Sequence, residues 1–168
     1  MEKSNRILQT VKEMFPNASC ELNYNNHYEL LIAVVLSAQT TDKRVNEVTV
    51  ELFKKYPTAK DLSNANYNDV YNIISVLGLA KAKTNNIINL SKQLIEKYNN
   101  IVPNNREQLQ SLPGVGRKTA NAVLMEGFRI PAIAVDTHVS RVSNRLGLSN
   151  SDDVKIIEQD LMSLYDEK

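Results

Sequence analysis

The stretch that decides the fold is residues 112–124, which read LPGVGRKTANAVL. Its two glycines, Gly114 and Gly116, permit unusual backbone angles and let the main chain come close to a partner. Arg117 and Lys118 then begin a helix whose free N–H groups and positive dipole end point out of the turn. Such a turn can bind phosphate through backbone amides. For a lone G-x-G, a tight helix-helix turn with a glycine cap is the common alternative.

Outside this stretch, apolar residues recur almost everywhere at helical rather than alternating spacing. A stripe over residues 7–15 ends at Pro16, with Ser4 placed as its N-cap. Residues 30–36 are apolar nearly all round, which predicts a buried helix. Further helices are predicted over residues 45–53, 70–77, 87–95, 106–111, 117–126, 137–146 and 153–165. The sequence therefore predicts an all-α fold, with residues 127–135 as the linker candidate.

Length and composition suit one globular domain or two small interleaved ones, because 42% of the 168 residues are hydrophobic and 23% are charged. No run approaches the roughly 18 apolar residues of a membrane span, and the N-terminal residues lack a secretory signal. We therefore expect a cytoplasmic protein without a membrane partner. The single cysteine, Cys20, can form neither an intrachain disulfide nor, alone, a zinc or iron–sulfur site. We expect no metal in this chain.

Charge is distributed unevenly along the chain, although the net charge is only +1. Residues 112–148 hold five basic side chains against two acidic ones, which gives this segment a net charge of +3. A basic patch of this kind suits contact with one face of a polyanion. Solvated surface charge is the ordinary alternative.

Three blocks of the sequence together resemble one family. Residues 112–124 and residues 134–145, which read AVDTHVSRVSNR, resemble the helix-hairpin-helix and the catalytic segment of endonuclease III, a helix-hairpin-helix DNA glycosylase. Residues 30–42, which read LLIAVVLSAQTTD, resemble the early helix of that family and the loop after it. The spacings between the blocks are also similar, and the resemblance extends to about Tyr165.

The resemblance implies the helix-hairpin-helix glycosylase fold. Residues 20–132 would form a six-helix barrel that contains the hairpin. A second helical domain, incomplete at its C-terminal end, would be assembled from residues 1–19 and 133–168. Double-stranded DNA with a damaged base or an abasic site would lie in the cleft between the two.

The resemblance also assigns Lys118 as the nucleophile and Asp136 as its carboxylate partner. In this chemistry a neutral amine attacks C1′ of the damaged nucleotide and leaves a Schiff base, from which β-elimination cuts the strand. Asp136 would take a proton or steady positive charge on the sugar. From the residues alone, Lys118 could be a phosphate-contacting or solvated lysine, and Asp136 could be the N-cap of a helix starting at Thr137. His138 is assigned no catalysis, since a lone histidine there is more often structural.

Seven further residues are expected to bind DNA. By resemblance, Gln39 fills the gap left by the extruded nucleotide, and Leu79 is a wedge on the opposite strand. The alternatives are a loop amide that satisfies backbone groups for Gln39 and a core leucine for Leu79. The hairpin is expected to contribute Gly114, Val115, Gly116, Arg117 and Thr119.

The function implied by the resemblance is base-excision DNA repair by a bifunctional glycosylase and AP lyase that removes oxidised pyrimidines. The adenine glycosylase branch lacks a lysine at the position of Lys118, and mismatch thymine glycosylases carry a tyrosine there, so Lys118 favours lyase activity. The rival hypothesis is a catalytically weak or inactive DNA-binding module, and a protein-binding helical domain is a third. We expect a monomer that associates with the nucleoid through DNA.

The sequence departs from the family pattern at its C-terminal end. Endonuclease III proteins usually continue into a loop of four cysteines that holds a [4Fe–4S] cluster, whereas this sequence stops at Lys168. A natural cluster-free form and a truncated product both fit this observation. In either case we expect a colourless protein whose DNA affinity is lower and whose salt dependence is shallower than those of a full-length relative.

Overall fold

The computed structural model describes residues 2–165, which form ten helices and no strand. In chain order these are α1 (Glu2–Met14), α2 (His27–Leu36), α3 (Asp42–Lys55), α4 (Ala59–Ser63), α5 (Tyr67–Ile74), α6 (Ala80–Tyr98), α7 (Arg106–Gln110), α8 (Arg117–Phe128), α9 (Thr137–Arg145) and α10 (Val154–Leu164). The predicted all-α fold is confirmed. None of the described helices is long and apolar enough to cross a membrane. Met1 and residues 166–168, which belong to the predicted second domain, lie outside the described residues.

The helices differ from the sequence prediction in two places, and local capping explains the first of them. The first is α4, which apolar spacing did not predict and which begins at a capping box formed by Thr58 and Asp61. The second is α1, which begins at Glu2, so the predicted N-cap at Ser4 is wrong. Ser4 is buried inside the helix, and its carbonyl accepts a hydrogen bond from Tyr165 Oη at 3.2 Å. This contact ties α1 to the end of α10.

Helix α2 is the buried centre of the fold, as its apolar sequence predicts. Its residues from Glu29 to Leu36 are all buried, and it packs against α3, α6 and α8. Gly127 brings α8 close, because a Cβ at this position would lie only 2.8 Å from Leu30 Cδ2. His27 Nε2 also lies 2.8 Å from the Gly127 carbonyl oxygen. These contacts fix α8 against the core.

Buried apolar side chains form two clusters. The larger cluster draws its buried members from residues 22–124, which include α2 through the first part of α8. The smaller cluster is built on Val135, Ile157 and Leu161. Partly buried Ala132 packs against the first cluster, whereas Ile133 packs against the second. The chain thus passes from one cluster to the other between α8 and α9, while the predicted domain division itself stays a prediction.

Candidate active site

The hairpin between α7 and α8 depends on two glycines in different ways. Gly114 has a φ of +76°, and a Cβ there would lie 2.9 Å from Asn86 on α6, so a larger residue would strain the turn. Val115 is buried in the larger cluster and anchors the tip of the hairpin. A Cβ at Gly116, by contrast, would meet nothing within 4 Å. Packing among the described residues does not require glycine at position 116, which suits a partner that approaches this backbone closely.

Helix α8 begins at the hairpin with free backbone donors. Gly116 is its N-cap, and no side chain of the described residues caps the first turn. The first N–H groups of a helix have no intrahelical acceptor, and the positive end of the helix dipole lies there. The first backbone N–H groups of α8 are therefore suitable donors for the DNA contacts expected of the hairpin. The contacts themselves stay predictions.

Lys118 and Asp136 come from different segments and lie together in the structure. Lys118 Nζ is 3.8 Å from Asp136 Oδ2, and the two side chains are 60% and 31% exposed. Asp136 is also the N-cap of α9, since its Oδ1 accepts a hydrogen bond from the Val139 N–H at 2.8 Å. One carboxylate oxygen therefore caps the helix while the other faces the amine. The capping and catalytic interpretations of Asp136 are compatible.

A cavity of about 660 Å³ lies beside Lys118. Helix α8 lines it with Lys118, Ala122 and Glu126, because residues four apart share one face of a helix, and with Thr119 on the same wall. The other walls come from the segment before α2, from α2 itself, from the turn after it and from the start of α3, and they include Cys20, Leu22, Ser37, Ala38 and Asp42. Apolar walls with a few charged and polar groups are typical of a small-ligand site.

Two carboxylates on the cavity wall were missed by sequence reasoning. Burial is the main cause that raises the pKa of Asp42, and Glu21 adds to it, whereas Lys118 acts in the opposite direction. Glu126 accepts a hydrogen bond from Tyr24 Oη at 2.6 Å, which raises the pKa of Tyr24 to about 12. The helical register from Lys118 was a usable signal for Glu126. No local pattern marked Asp42, because its approach to the cavity depends on how α2 packs against α8.

The guanidinium of Arg117 points to a partner within the protein. It donates to Glu158 from Nε at 2.6 Å and from Nη2 at 3.1 Å, and Arg106 Nη1 donates to the same carboxylate at 2.7 Å. Glu158 is buried and lies on α10, so this ion-pair cluster joins the hairpin to the helix of the smaller apolar cluster. The predicted DNA contact at Arg117 stays a prediction. Because the guanidinium binds Glu158, the group of Arg117 that remains available for this contact is its backbone N–H.

Gln39 and Leu79 lie on two adjacent turns, the Gln39 turn (residues 37–41) and the Leu79 turn (residues 75–79). Both residues have left-handed backbone angles, with φ of 54° and 60°, which bulky side chains rarely adopt. Leu79 is 56% exposed, so the alternative of a core leucine is wrong. A Cβ at Gly78 would lie 3.7 Å from the Gln39 carbonyl oxygen, which shows how close the two turns are. Strained, exposed residues of this kind are a common feature of functional sites.

The described residues do not build a metal centre. No group of three or more His, Cys, Asp or Glu side chains within residues 2–165 could hold a metal ion. Cys20 is exposed, and one cysteine cannot supply the four thiolates of a [4Fe–4S] cluster, so the residues present do not fit that group. His138 is exposed, and its Nδ1 lies 3.1 Å from Arg141 Nη2. This contact is a surface interaction and gives no reason to assign His138 a catalytic role.

A hairpin that presents a lysine to a carboxylate beside a ligand-sized cavity defines a class, the helix-hairpin-helix proteins of base-excision repair. The family model described as HhH-GPD superfamily base excision DNA repair protein matches residues 32–167. Endonuclease III of Bacillus subtilis is 49% identical over 156 residues, which cover 92% of this chain and 71% of that protein. The chain belongs to the endonuclease III family.

Two solved structures have the same fold. A trapped endonuclease III–DNA covalent intermediate, an estranged-adenine complex, matches with a TM-score of 0.93 and 48% identity, covering 98% of this chain and 79% of that one. A non-covalent endonuclease III–DNA complex matches with a TM-score of 0.94 and 48% identity, covering 99% and 78%. The predicted family, the helix-hairpin-helix glycosylase fold and the function class of base-excision repair glycosylase are confirmed.

Proposed function

We propose that this chain is a bifunctional DNA glycosylase and AP lyase that removes oxidised pyrimidines from duplex DNA. The observation that carries the proposal is the approach of Lys118 Nζ to within 3.8 Å of Asp136 Oδ2, at the edge of a cavity. A primary amine beside a carboxylate is the pair that Schiff-base chemistry on a sugar requires. The two endonuclease III–DNA complexes described above support DNA as the partner, which we propose is double-stranded.

The reaction begins when the neutral Lys118 amine forms a bond to C1′ of the damaged nucleotide. The glycosidic bond breaks, and the base leaves with its electron pair and takes up a proton. Opening of the sugar ring gives a protonated Schiff base, and loss of a C2′ proton then expels the 3′ phosphate and cuts the strand. Asp136 Oδ2 is placed to accept a proton or to steady positive charge, because Oδ1 already holds the α9 cap.

The cavity supports a damaged base as the ligand. Its walls combine apolar contacts with carboxylates at Asp42 and Glu126 and with the hydroxyl of Ser37. These groups can hydrogen-bond to the polar edges of an oxidised pyrimidine that has been extruded from the duplex. Extrusion is required because C1′ is inaccessible within a stacked helix, and we assign Gln39 and Leu79 to replacing the stacking that is lost. We place the protein as a monomer in the cytoplasm, associated with the nucleoid through DNA.

Borohydride trapping tests the proposal on duplexes that contain an abasic site or thymine glycol. We expect a covalent adduct at Lys118, and we expect Lys118→Gln to abolish it while DNA affinity stays within severalfold, because the hairpin amides remain. Lys92→Gln, on the exposed side of α6, is the matched control and should trap normally. A Lys118→Gln protein that forms the adduct at the parental rate would remove Lys118 from the mechanism. DNA binding by the parent chain without any adduct would support the DNA-binding module instead.

A further inference from the structure

Lys83 is a buried lysine that the reaction described above does not use. It lies in the first turn of α6, and the residue is only 3% exposed. Its Nζ donates one hydrogen bond, to Thr40 Oγ1 at 3.0 Å. Among residues 2–165 it forms no ion pair with a carboxylate, since the four ion pairs found there involve other cations.

Stability alone does not account for a lysine at this place. Burial of an ammonium group is costly unless an opposite charge and several hydrogen bonds compensate for it, and here a single hydroxyl does so. Burial lowers the pKa of Lys83, as expected for a cation removed from water. A methionine would fill the same space without this cost. The role of Lys83 must therefore be sought in what its one side-chain hydrogen bond connects.

Lys83 makes contact with both turns that carry the lesion-opening side chains. Its backbone N–H donates to the Leu79 carbonyl at 2.9 Å, which closes the first turn of α6 over Leu79. Its side chain reaches Thr40, the residue next to Gln39. The turns also meet where Gly78 packs near the Gln39 carbonyl, and where Arg44 Nη1 donates to the Val76 carbonyl at 3.3 Å. The backbone bond to Leu79 is an ordinary helical one, so the side-chain bond to Thr40 is what lets Lys83 link the start of α6 to the Gln39 turn.

We propose that Lys83 is a positioning residue that holds the Gln39 turn and the Leu79 turn as one unit, so that both side chains enter the duplex together. The inference rests on the proposed lesion-opening roles of Gln39 and Leu79. Each of these residues has a left-handed backbone angle, and a strained turn keeps its conformation only when its surroundings hold it. The Lys83 hydrogen bond gives that support across 43 residues of sequence.

The test compares single-turnover trapping rates on two duplexes, one with thymine glycol and one with an abasic site. An abasic nucleotide has no base to unstack, so it needs little help with extrusion. We expect Lys83→Met to lower the thymine glycol rate roughly tenfold, the size of one hydrogen bond to a charged group. We expect it to lower the abasic rate by no more than about twofold. Its melting temperature should not fall, because the substitution removes a buried charge. Lys92→Met, exposed on the same helix, should leave both rates unchanged.

Two further variants isolate the hydrogen bond. Thr40→Ser keeps the hydroxyl and should retain the parental ratio of the two rates. The double variant Lys83→Met with Thr40→Val should be no worse than Lys83→Met alone, because both substitutions remove the same bond.

Equal losses on both duplexes, or no loss on either, would overturn the proposal. If Gln39→Ala and Leu79→Ala also leave the ratio unchanged, the lesion-opening roles fail. If they lower it while Lys83→Met does not, only the Lys83 inference fails.

Discussion

Lys118 lies at the start of helix α8 of the larger apolar cluster and Asp136 follows Val135 of the smaller one, so this pair joins the two clusters. Gln39 and Leu79, in contrast, lie on turns between helices of the larger cluster. The first region is held by charge: Glu158 of α10 binds Arg117, the residue before Lys118. The second region is held by backbone conformation and by the buried Lys83, whose ammonium group donates to the Thr40 hydroxyl. We therefore expect charge substitutions to damage the catalytic pair most, and backbone substitutions to damage the two turns.

Asp136→Asn should have the largest effect. The amide oxygen can still accept the Val139 N–H, so the α9 cap survives, but the group that faces Lys118 becomes neutral. We expect the trapping rate to fall by about a hundredfold or more, within the usual contribution of a general acid or base. The melting temperature should stay near that of the parent. Asp136→Ala is the matched comparison and should also lose about 1 kcal/mol of stability with the cap.

An Asp136→Asn protein that loses stability in proportion to activity would mean that the cap is the main role of the residue. The two regions would then be more alike, because the catalytic pair would depend on backbone capping rather than on charge. Thermal unfolding and trapping, measured on the same preparations, distinguish the two outcomes.

Glu158→Gln should have the second-largest effect. It neutralises the carboxylate that both Arg106 and Arg117 bind, although both arginines reach solvent. We expect a loss of about 2 kcal/mol, below the range for fully buried pairs. Trapping should fall severalfold, because the ion-pair cluster joins the hairpin to α10. Glu96→Gln, exposed on α6, is the control. Denaturant unfolding that shows no difference between Glu158→Gln and its control would contradict this account.

Most features of the molecule that depend on neighbours in sequence were predictable, although α4 and the start of α1 were not. The buried helix α2 and the hairpin were predicted from local spacing and composition, and the capping role of Asp136 was read from its place before Thr137. The missed contacts are those that join distant segments. Arg117 and Glu158 are 41 residues apart, and Lys83 and Thr40 are 43 apart, so no periodicity marks them. Such contacts depend on how the helices pack against one another, and this packing cannot be predicted from the local pattern of a single sequence.

The backbone conformation of the Leu79 turn was also not predictable from the sequence. The apolar spacing predicts a helix that ends at residue 77, and the structure ends α5 at Ile74 and starts α6 directly after Leu79. However, the left-handed angle falls on Leu79 rather than on the glycine, which no local rule predicts. The conformation exposes a large apolar side chain, and this exposure is the property that the proposed wedge role requires.

The smallest expected effect separates backbone strain from side-chain function at Gln39. Both Gln39→Gly and Gln39→Ala remove the side chain, so both should lose lesion discrimination to the same extent. At a φ of 54°, glycine avoids the penalty that alanine retains, and Gln39→Gly should be more stable than Gln39→Ala by about 1 kcal/mol. Asn100, with a φ of 61° after α6, is the control position, where the same pair of substitutions should differ in stability without changing trapping. If Gln39→Gly keeps parental discrimination, the turn needs only its backbone shape, and the side chain has no part in opening the duplex.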